Sequence, residues 1–247
     1  MKVNEFNDLV SRLQVSENKR RQFVSDASHE LKTPLASIKL LTDSILQNDM
    51  DIETIHEFVT DIGNEADRLN RMSMKLLSLS RIESQFDGDF EIINMSPTIE
   101  KVARMLSTIA KEHSITINLE LCDECPILII EDDLYQIVFN LVENGIKYNV
   151  PGGKLTVFLQ RKDDNAVLQV TDTGVGIPAD SLSHIFERFY RVDKARSRNS
   201  GGSGLGLSIV RNMVERNHGA IHVDSSVGEG TTFTVTFPIF DTEEESE

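Results

Sequence analysis

The chain contains no run of eighteen or more apolar residues, the minimum for a membrane-spanning helix, and its start, M-K-V-N-E-F-N-D, lacks the apolar stretch of a secretion signal. Both absences lead us to expect a soluble, cytoplasmic chain. Basic residues are also short: 25 Lys and Arg stand against 40 Asp and Glu, a formal charge of -15. That surplus repels nucleic-acid phosphates and anionic membrane surfaces, so neither is expected as a primary partner. Cysteine is scarce. Cys122 and Cys125 form C-D-E-C, but the acids between them disfavour a thiolate and no second ligand pair at zinc spacing follows, so two reduced thiols are expected. What remains is ordinary for a folded protein: 39% apolar content over 247 residues, enough for one large domain or two small ones.

Phe23, Ala27, Leu31, Pro34, Ile38, Leu41 and Ile45 recur at steps of three and four, the spacing of a helix seam packed on a partner. Phe6, Leu9 and Leu13 extend it backwards. The pattern breaks around Gln47 to Asp51, then resumes as Ile55, Phe58/Val59, Ile62, Ala66, Leu69, Leu76 and Leu79. This predicts a helical hairpin. Its apolar stripe is wider than one hairpin can cover, which predicts a homodimer closed as a four-helix bundle. Past S-Q-F-D-G-D (84 to 89) the texture changes to short β-like runs at 115–121, 155–160, 166–171, 220–223 and 231–237, interleaved with helical stretches. One helix is expected to take Ser96 as N-cap and Pro97 as first residue, another to cover Asp132 to Tyr148, and a third to open at Gly204 to Gly206 and reach Arg216. Strands and helices in two layers make an α+β sandwich. The ending D-T-E-E-E-S-E is too acidic to pack and is expected to fray.

Residues 28 to 35 read S-H-E-L-K-T-P-L. At about 100° per residue, His29 lies roughly 200° from Ala27 and Leu31 and faces away from the seam. Alone it reads as an ordinary surface histidine. Its neighbours change that: Glu30 sits beside it and Thr33 one turn further on the same face. An exposed, largely neutral imidazole is a competent nitrogen nucleophile, and Glu30 can accept the hydrogen of the other ring nitrogen. Pro34 lacks an N–H and is expected to kink or loosen the helix at this point.

Four further stretches need a common explanation: N-L-V-E-N-G-I-K-Y (140–148), D-T-G-V-G-I-P (172–178), F-E-R-F-Y-R (186–191) and G-G-S-G-L-G-L (201–207). Asn140, Asn144, Lys147 and Tyr148 align amides, an ammonium and an aromatic along one side of a helix. Gly174 and Gly176 let a flat base approach the backbone, with Asp172 as acceptor for an exocyclic amine. Gly202, Gly204 and Gly206 precede a helix whose N-terminus suits phosphate oxygens, although the spacing is neither a P-loop nor a dinucleotide fingerprint. Between these boxes Arg188, Arg191, Lys194, Arg196 and Arg198 form a basic island suited to phosphate, in a stretch whose glycines and serines fit a mobile lid.

In this order the stretches resemble the histidine, asparagine, glycine and phenylalanine boxes of the bacterial two-component sensor histidine kinases, and G-E-G-T-T-F (228–233) resembles a further glycine motif of that family. The departures are minor, such as Gly145 where alanine is frequent. The resemblance implies that residues 1–18 end an upstream helical linker, 19–86 form the dimerisation and histidine phosphotransfer domain, 90–240 form a catalytic domain of the histidine kinase and chaperone ATPase type, and 241–247 are an acidic tail. It implies ATP and Mg2+ as cofactors. Asp172 would hold the adenine amino group and Tyr148 pack on the base. Asn144 would ligate magnesium with Asn140 assisting, while Lys147, Arg188 and Arg191 hold phosphates and Gly202, Gly204, Leu205 and Gly206 line the lid. His29 would be autophosphorylated, with Glu30 and Thr33 as catalytic companions, and would pass its phosphoryl group to an aspartate of a response regulator docked near Ser37, Leu41 and Ser44. Thr33 and Glu30 would position a water for the reverse, phosphatase reaction. The resemblance also leads us to expect a parent protein anchored in a membrane through a region upstream of this chain, with this part on the cytoplasmic side. A stand-alone ATPase would place a glutamate four residues before the metal asparagine, where Asn140 stands, and a dead scaffold would not keep His29, Asn144 and Asp172 together.

Overall fold

The computed structural model describes residues 2–83, 89–192 and 204–240. The chain divides into two compact units, the second beginning at Leu79. Among the described residues no helix is long and apolar enough to cross a membrane.

The first unit is the hairpin. Helix α1 runs Lys2–Gln47 and α2 runs Ile52–Glu83. Asp51 stops the chain between them from continuing as helix: its carboxylate accepts from the Thr54 amide at 2.8 Å and the Thr54 hydroxyl at 3.0 Å, an N-cap for α2. These hydrogen bonds favour the ionised form and hold the Asp51 carboxyl below its usual range. The expected seam is the shielded face, with Ala27 and Pro34 buried and Leu31, Ile38, Leu41 and Ile45 half-buried, while Leu35, Leu40 and Leu46 are exposed. On α2 the seam differs in detail: Ala66 is exposed, and Met72, absent from the expected stripe, is buried. The loosening expected at Pro34 does not interrupt α1, which continues as helix on both sides of it.

The second unit comprises β1 (Glu91–Asn94), α3 (Met95–Glu112), β2 (Thr116–Leu121), β3 (Pro126–Ile129), α4 (Glu131–Lys147), β4 (Lys154–Lys162), β5 (Asn165–Asp172), α5 (Gly206–Arg216), β6 (Ala220–Ser226) and β7 (Gly230–Pro238). Five strands form one sheet in the order β2-β4-β5-β7-β6, antiparallel except for the parallel pair β2 and β4, and β1 pairs with β3 in a separate ribbon. A parallel neighbour requires a crossover, and the segment carrying α4 supplies it. Strict alternation makes one sheet face apolar: Leu155, Val157 and Leu159 of β4, Leu168 and Val170 of β5, and Phe233, Val235 and Phe237 of β7 are all buried. Ile99, Val102 and Leu106 of α3, Leu134, Ile137 and Leu141 of α4, and Ile209 and Val210 of α5 are the buried helix residues of this core. Each such side chain stabilises the fold by about 1.5–3 kcal/mol relative to exposure. The other face is largely polar apart from Phe158 and Val167, with the Thr171 and Thr232 hydroxyls 3.0 Å apart across neighbouring strands. The result is the two-layer sandwich that the sequence pattern predicts.

Two local expectations are corrected. Helix α3 starts at Met95 with Asn94 as N-cap, because the Ser96 hydroxyl donates to the Cys122 carbonyl at 2.6 Å instead of capping its own helix. Pro97 still lies in the first turn, where a missing N–H costs nothing. Cys122 and Cys125 are joined as a disulfide, not free. Their turn is clasped by Asn94, whose Oδ1 accepts from the Cys125 amide at 3.2 Å and whose Nδ2 donates to the Asp123 carbonyl at 2.9 Å. That clasp brings the thiols together.

Candidate functional site

Three elements converge at one end of the central strand. Asp172 is the last residue of β5, flanked in register by Leu155 of β4 and Thr231 of β7, and it is buried. Its Oδ1 accepts from the Gly174 amide at 2.8 Å. Burial pushes its carboxyl above the usual range, with the Gly174 and Thr231 amides pulling the other way. The α4 end is welded to the following loop: the Val175 amide donates to the Tyr148 carbonyl at 3.1 Å, and the Thr173 hydroxyl donates to Asn149 Oδ1 at 3.1 Å. Gly174 fits here because a Cβ would run into that same Tyr148 carbonyl. Gly176, at φ +69°, adopts a backbone that favours glycine, and a Cβ there would strike the Ser226 carbonyl.

Along α4, Asn140 is buried and Asn144 half-buried. Asn140 Nδ2 donates to the Gln136 carbonyl at 2.8 Å, and its Oδ1 faces Gly206, where a Cβ would sit 3.0 Å away. Tyr148 caps the C-terminus of α4, with the Lys147 ammonium 5.2 Å from its ring centre. Desolvation raises the Tyr148 phenol, Arg191 lowers it and Glu143 raises it further. Gly206 is the first residue of α5 and the buried Leu205 its N-cap. The Gly204 carbonyl accepts from the Phe189 amide at 2.9 Å, tying the phenylalanine box to the start of α5. Arg188 and Arg191 are both half-buried, and Arg191 Nε and Nη2 are buried without a hydrogen-bond partner among the described residues. Gly202, Lys194, Arg196, Arg198 and the acidic tail lie outside the described residues.

The structure thus brings Asn140, Asn144, Lys147, Tyr148, Asp172, Gly174, Gly176, Arg191, Gly204, Leu205 and Gly206 onto adjoining segments of the second unit. His29, Glu30 and Thr33 are on α1 of the first unit. His29 and Thr33 are exposed and Glu30 half-buried; the Thr33 hydroxyl reaches the His29 carbonyl at 3.4 Å, and the His29 imidazole has no partner among the described residues. One contributor escapes the residue-by-residue reading: Gly230, at φ +105°, lets β7 pass against the Asp172 carbonyl. Its signal was the G-E-G motif at 228–230.

The donor set matches a nucleoside triphosphate. A buried carboxylate at the end of a sheet, beside glycines, can accept from an exocyclic amine, and guanidinium nitrogens without a partner among the described residues and a helix N-terminus suit anionic oxygens.

Fold and site together define a class: a helical hairpin exposing a histidine, followed by an ATPase-type sandwich. Residues 19–85 match the His Kinase A (phospho-acceptor) domain, and residues 129–240 match the Histidine kinase-, DNA gyrase B-, and HSP90-like ATPase domain. The chain belongs to the sensor histidine kinases of two-component systems. It is 33% identical over 228 residues to Sensor histidine kinase RppB of Synechocystis sp., covering 91% of this chain and 50% of that protein. Among solved structures, full-length ShkA in complex with AMPPNP matches with a TM-score of 0.64 and 25% identity, over 86% of this chain and 44% of that one. Histidine kinase ThkA in complex with response regulator protein TrrA shares the fold with a TM-score of 0.72 and 20% identity, over 89% of this chain and 61% of that one. The chain spans about half the length of the curated relatives it matches.

Proposed function

We propose that this chain is a kinase core that binds Mg-ATP in its second unit, phosphorylates His29 and passes the phosphoryl group to an aspartate of a response-regulator protein. The observation that carries the reading is the Asp172 carboxylate, buried at the end of the central strand beside two glycines whose Cβ positions are blocked by backbone. Asp172 accepts from the adenine amine and Tyr148 covers the base. Lys147, Arg188 and Arg191 neutralise phosphate charge, and Gly204, Leu205 and Gly206 present the α5 N-terminus to the phosphates. The Asn144 amide oxygen, with Asn140 beside it on the same helix, would hold Mg2+, a neutral donor being enough where a triphosphate brings the charge. Mg2+ there supplies charge neutralisation of the triphosphate.

An imidazole nitrogen of His29 attacks the γ-phosphorus, the bond to the β,γ-bridging oxygen breaks, ADP leaves, and Glu30 accepts the proton of the other ring nitrogen. The P–N bond of the product is labile enough to pass its phosphoryl group to a carboxylate. The exposed turn around His29 suits docking by a separate protein, with Ser37, Leu41 and Ser44 along the same helix as further contacts. We also propose the homodimeric four-helix bundle, since most seam residues of one hairpin, among them Leu31, Ile38, Leu41, Ile45, Ile62 and Leu69, are only half-buried. Incubation with γ-labelled ATP tests the core claim: the wild type is expected to acquire acid-labile, alkali-stable label, and His29→Gln to lose it while binding nucleotide normally. Label retained by His29→Gln refutes the assignment.

A further inference from the structure

Asp133 sits in the first turn of α4 with its side chain 3% exposed, facing the far end of another helix. The Arg216 guanidinium, in the last turn of α5, grips both its oxygens, Nε donating to Oδ2 at 3.0 Å and Nη2 to Oδ1. Asn217, the C-cap of α5, adds Nδ2 to Asp133 Oδ2 at 2.7 Å. The same amide joins the two helix ends through the backbone: Nδ2 also donates to the Met213 carbonyl at 2.7 Å, and Oδ1 accepts from the Ile130 amide at 3.2 Å. An orphan N–H at the start of α4 is thereby satisfied, and the same side chain gives a second donor to the Met213 carbonyl, which already accepts from the Asn217 backbone amide. None of the motifs that point to nucleotide chemistry includes these three residues.

At their other contact the same helices meet through Asn140 and Gly206, where a Cβ on the glycine would lie 3.0 Å from the asparagine oxygen. The helices therefore run antiparallel, and these two contacts lie at opposite ends of α5. One carries the proposed metal asparagines and the phosphate-facing N-terminus; the other, about 15 Å away along α5, carries the charged clamp. A buried ion pair adds little net stability over apolar residues of the same volume, but its forked, bidentate geometry fixes register. We infer that Asp133, Arg216 and Asn217 are positioning residues that hold the α5 N-terminus at phosphate-binding distance from Asn140 and Asn144. The inference rests on the nucleotide reading above and deepens it. Its selectivity follows from the fold: Asp172 ends β5, Gly174 and Gly176 stand on the loop that follows it, and among the described residues none of the hydrogen bonds that hold them involves α5. Loosening the clamp releases the phosphates and leaves the base.

The experiment is calorimetric titration of the full chain with adenosine and, separately, with ATP, both with Mg2+ present. Arg216→Ala is expected to bind adenosine within about twofold of wild type and ATP at least tenfold more weakly, with the KM for ATP in autophosphorylation rising more than kcat falls. Arg216→Lys, which keeps one charged donor, is expected to recover part of the ATP affinity. Because Arg216→Ala strands a buried carboxylate, the double variant Asp133→Leu/Arg216→Met is run beside it. It removes the directional grip with no unpaired charge, and is expected to melt cooperatively and show the same selective loss of ATP. Parallel loss of adenosine and ATP, or wild-type ATP affinity in the folded double variant, overturns the assignment. Failure of the wild type to bind either ligand overturns the nucleotide reading, and the assignment with it.

Discussion

Asp172→Asn separates a binding role from a structural one by moving affinity and stability in opposite directions. In the folded chain the carboxylate is 7% exposed and its pKa is raised by that burial, against the pull of the Gly174 and Thr231 amides. A group whose folded pKa lies above its unfolded value favours folding at pH below the unfolded value, and that contribution is lost as pH rises through the folded one. At neutral pH ionised Asp172 therefore works against folding, and the neutral Asn, which can still accept from the Gly174 amide, is expected to leave the melting temperature unchanged or higher. Nucleotide binding is expected to go the other way. Asn can present an NH2 where the carboxylate accepted from the adenine amine, so a charged hydrogen bond worth about 1.5–3 kcal/mol is lost, a factor of roughly 10 to 150 in Kd. A second signature is pH: wild-type affinity for ATP is expected to fall on acidification through a midpoint above the usual carboxylate range, and the Asn variant to lack that midpoint. Titration calorimetry across pH, with thermal melts of the ligand-free proteins, measures all three. Unchanged ATP affinity, or a marked fall in melting temperature, would refute the adenine role of Asp172.

Thr33→Ala is expected to leave autophosphorylation within a few-fold of wild type, under about 1 kcal/mol, and to slow decay of purified phospho-regulator at least tenfold, about 1.4 kcal/mol; equal loss of both would make Thr33 structural. Gly174→Ala places a methyl against the Tyr148 carbonyl, so the junction of α4 and its loop must shift at a cost of about 1–3 kcal/mol, read as a lower melting temperature together with weaker nucleotide binding; wild-type values for both would show that the loop has room. Ile38→Glu or Leu69→Glu places a charge on the half-buried seam, and light scattering is expected to show a wild-type dimer and monomeric variants. A monomeric wild type contradicts the bundle.

Much of this protein was legible in its sequence, because helical periodicity, turn glycines and the order of the boxes depend on residues a few places apart. The hairpin, the long strands β4, β5 and β7, and helices α4 and α5 follow the expected segments to within a few residues at their ends. Strands β1 and β3 were not visible: E-I-I-N and P-I-L-I are four residues each, too short to show alternation, and exist because each pairs with the other. Ser96 looked like a helix cap until the Cys122 carbonyl, brought to it by the fold, took its hydroxyl. Proximity likewise decided the cysteines, whose turn is held by Asn94 from another strand. The parallel pairing of β2 with β4, the close pass of Gly230 beneath Asp172 and the grip of Arg216 on Asp133 join residues far apart in the chain. No local pattern encodes such contacts. They form because the apolar faces of the sheet and its three helices can be buried together in only one arrangement, and that packing chooses which distant side chains meet.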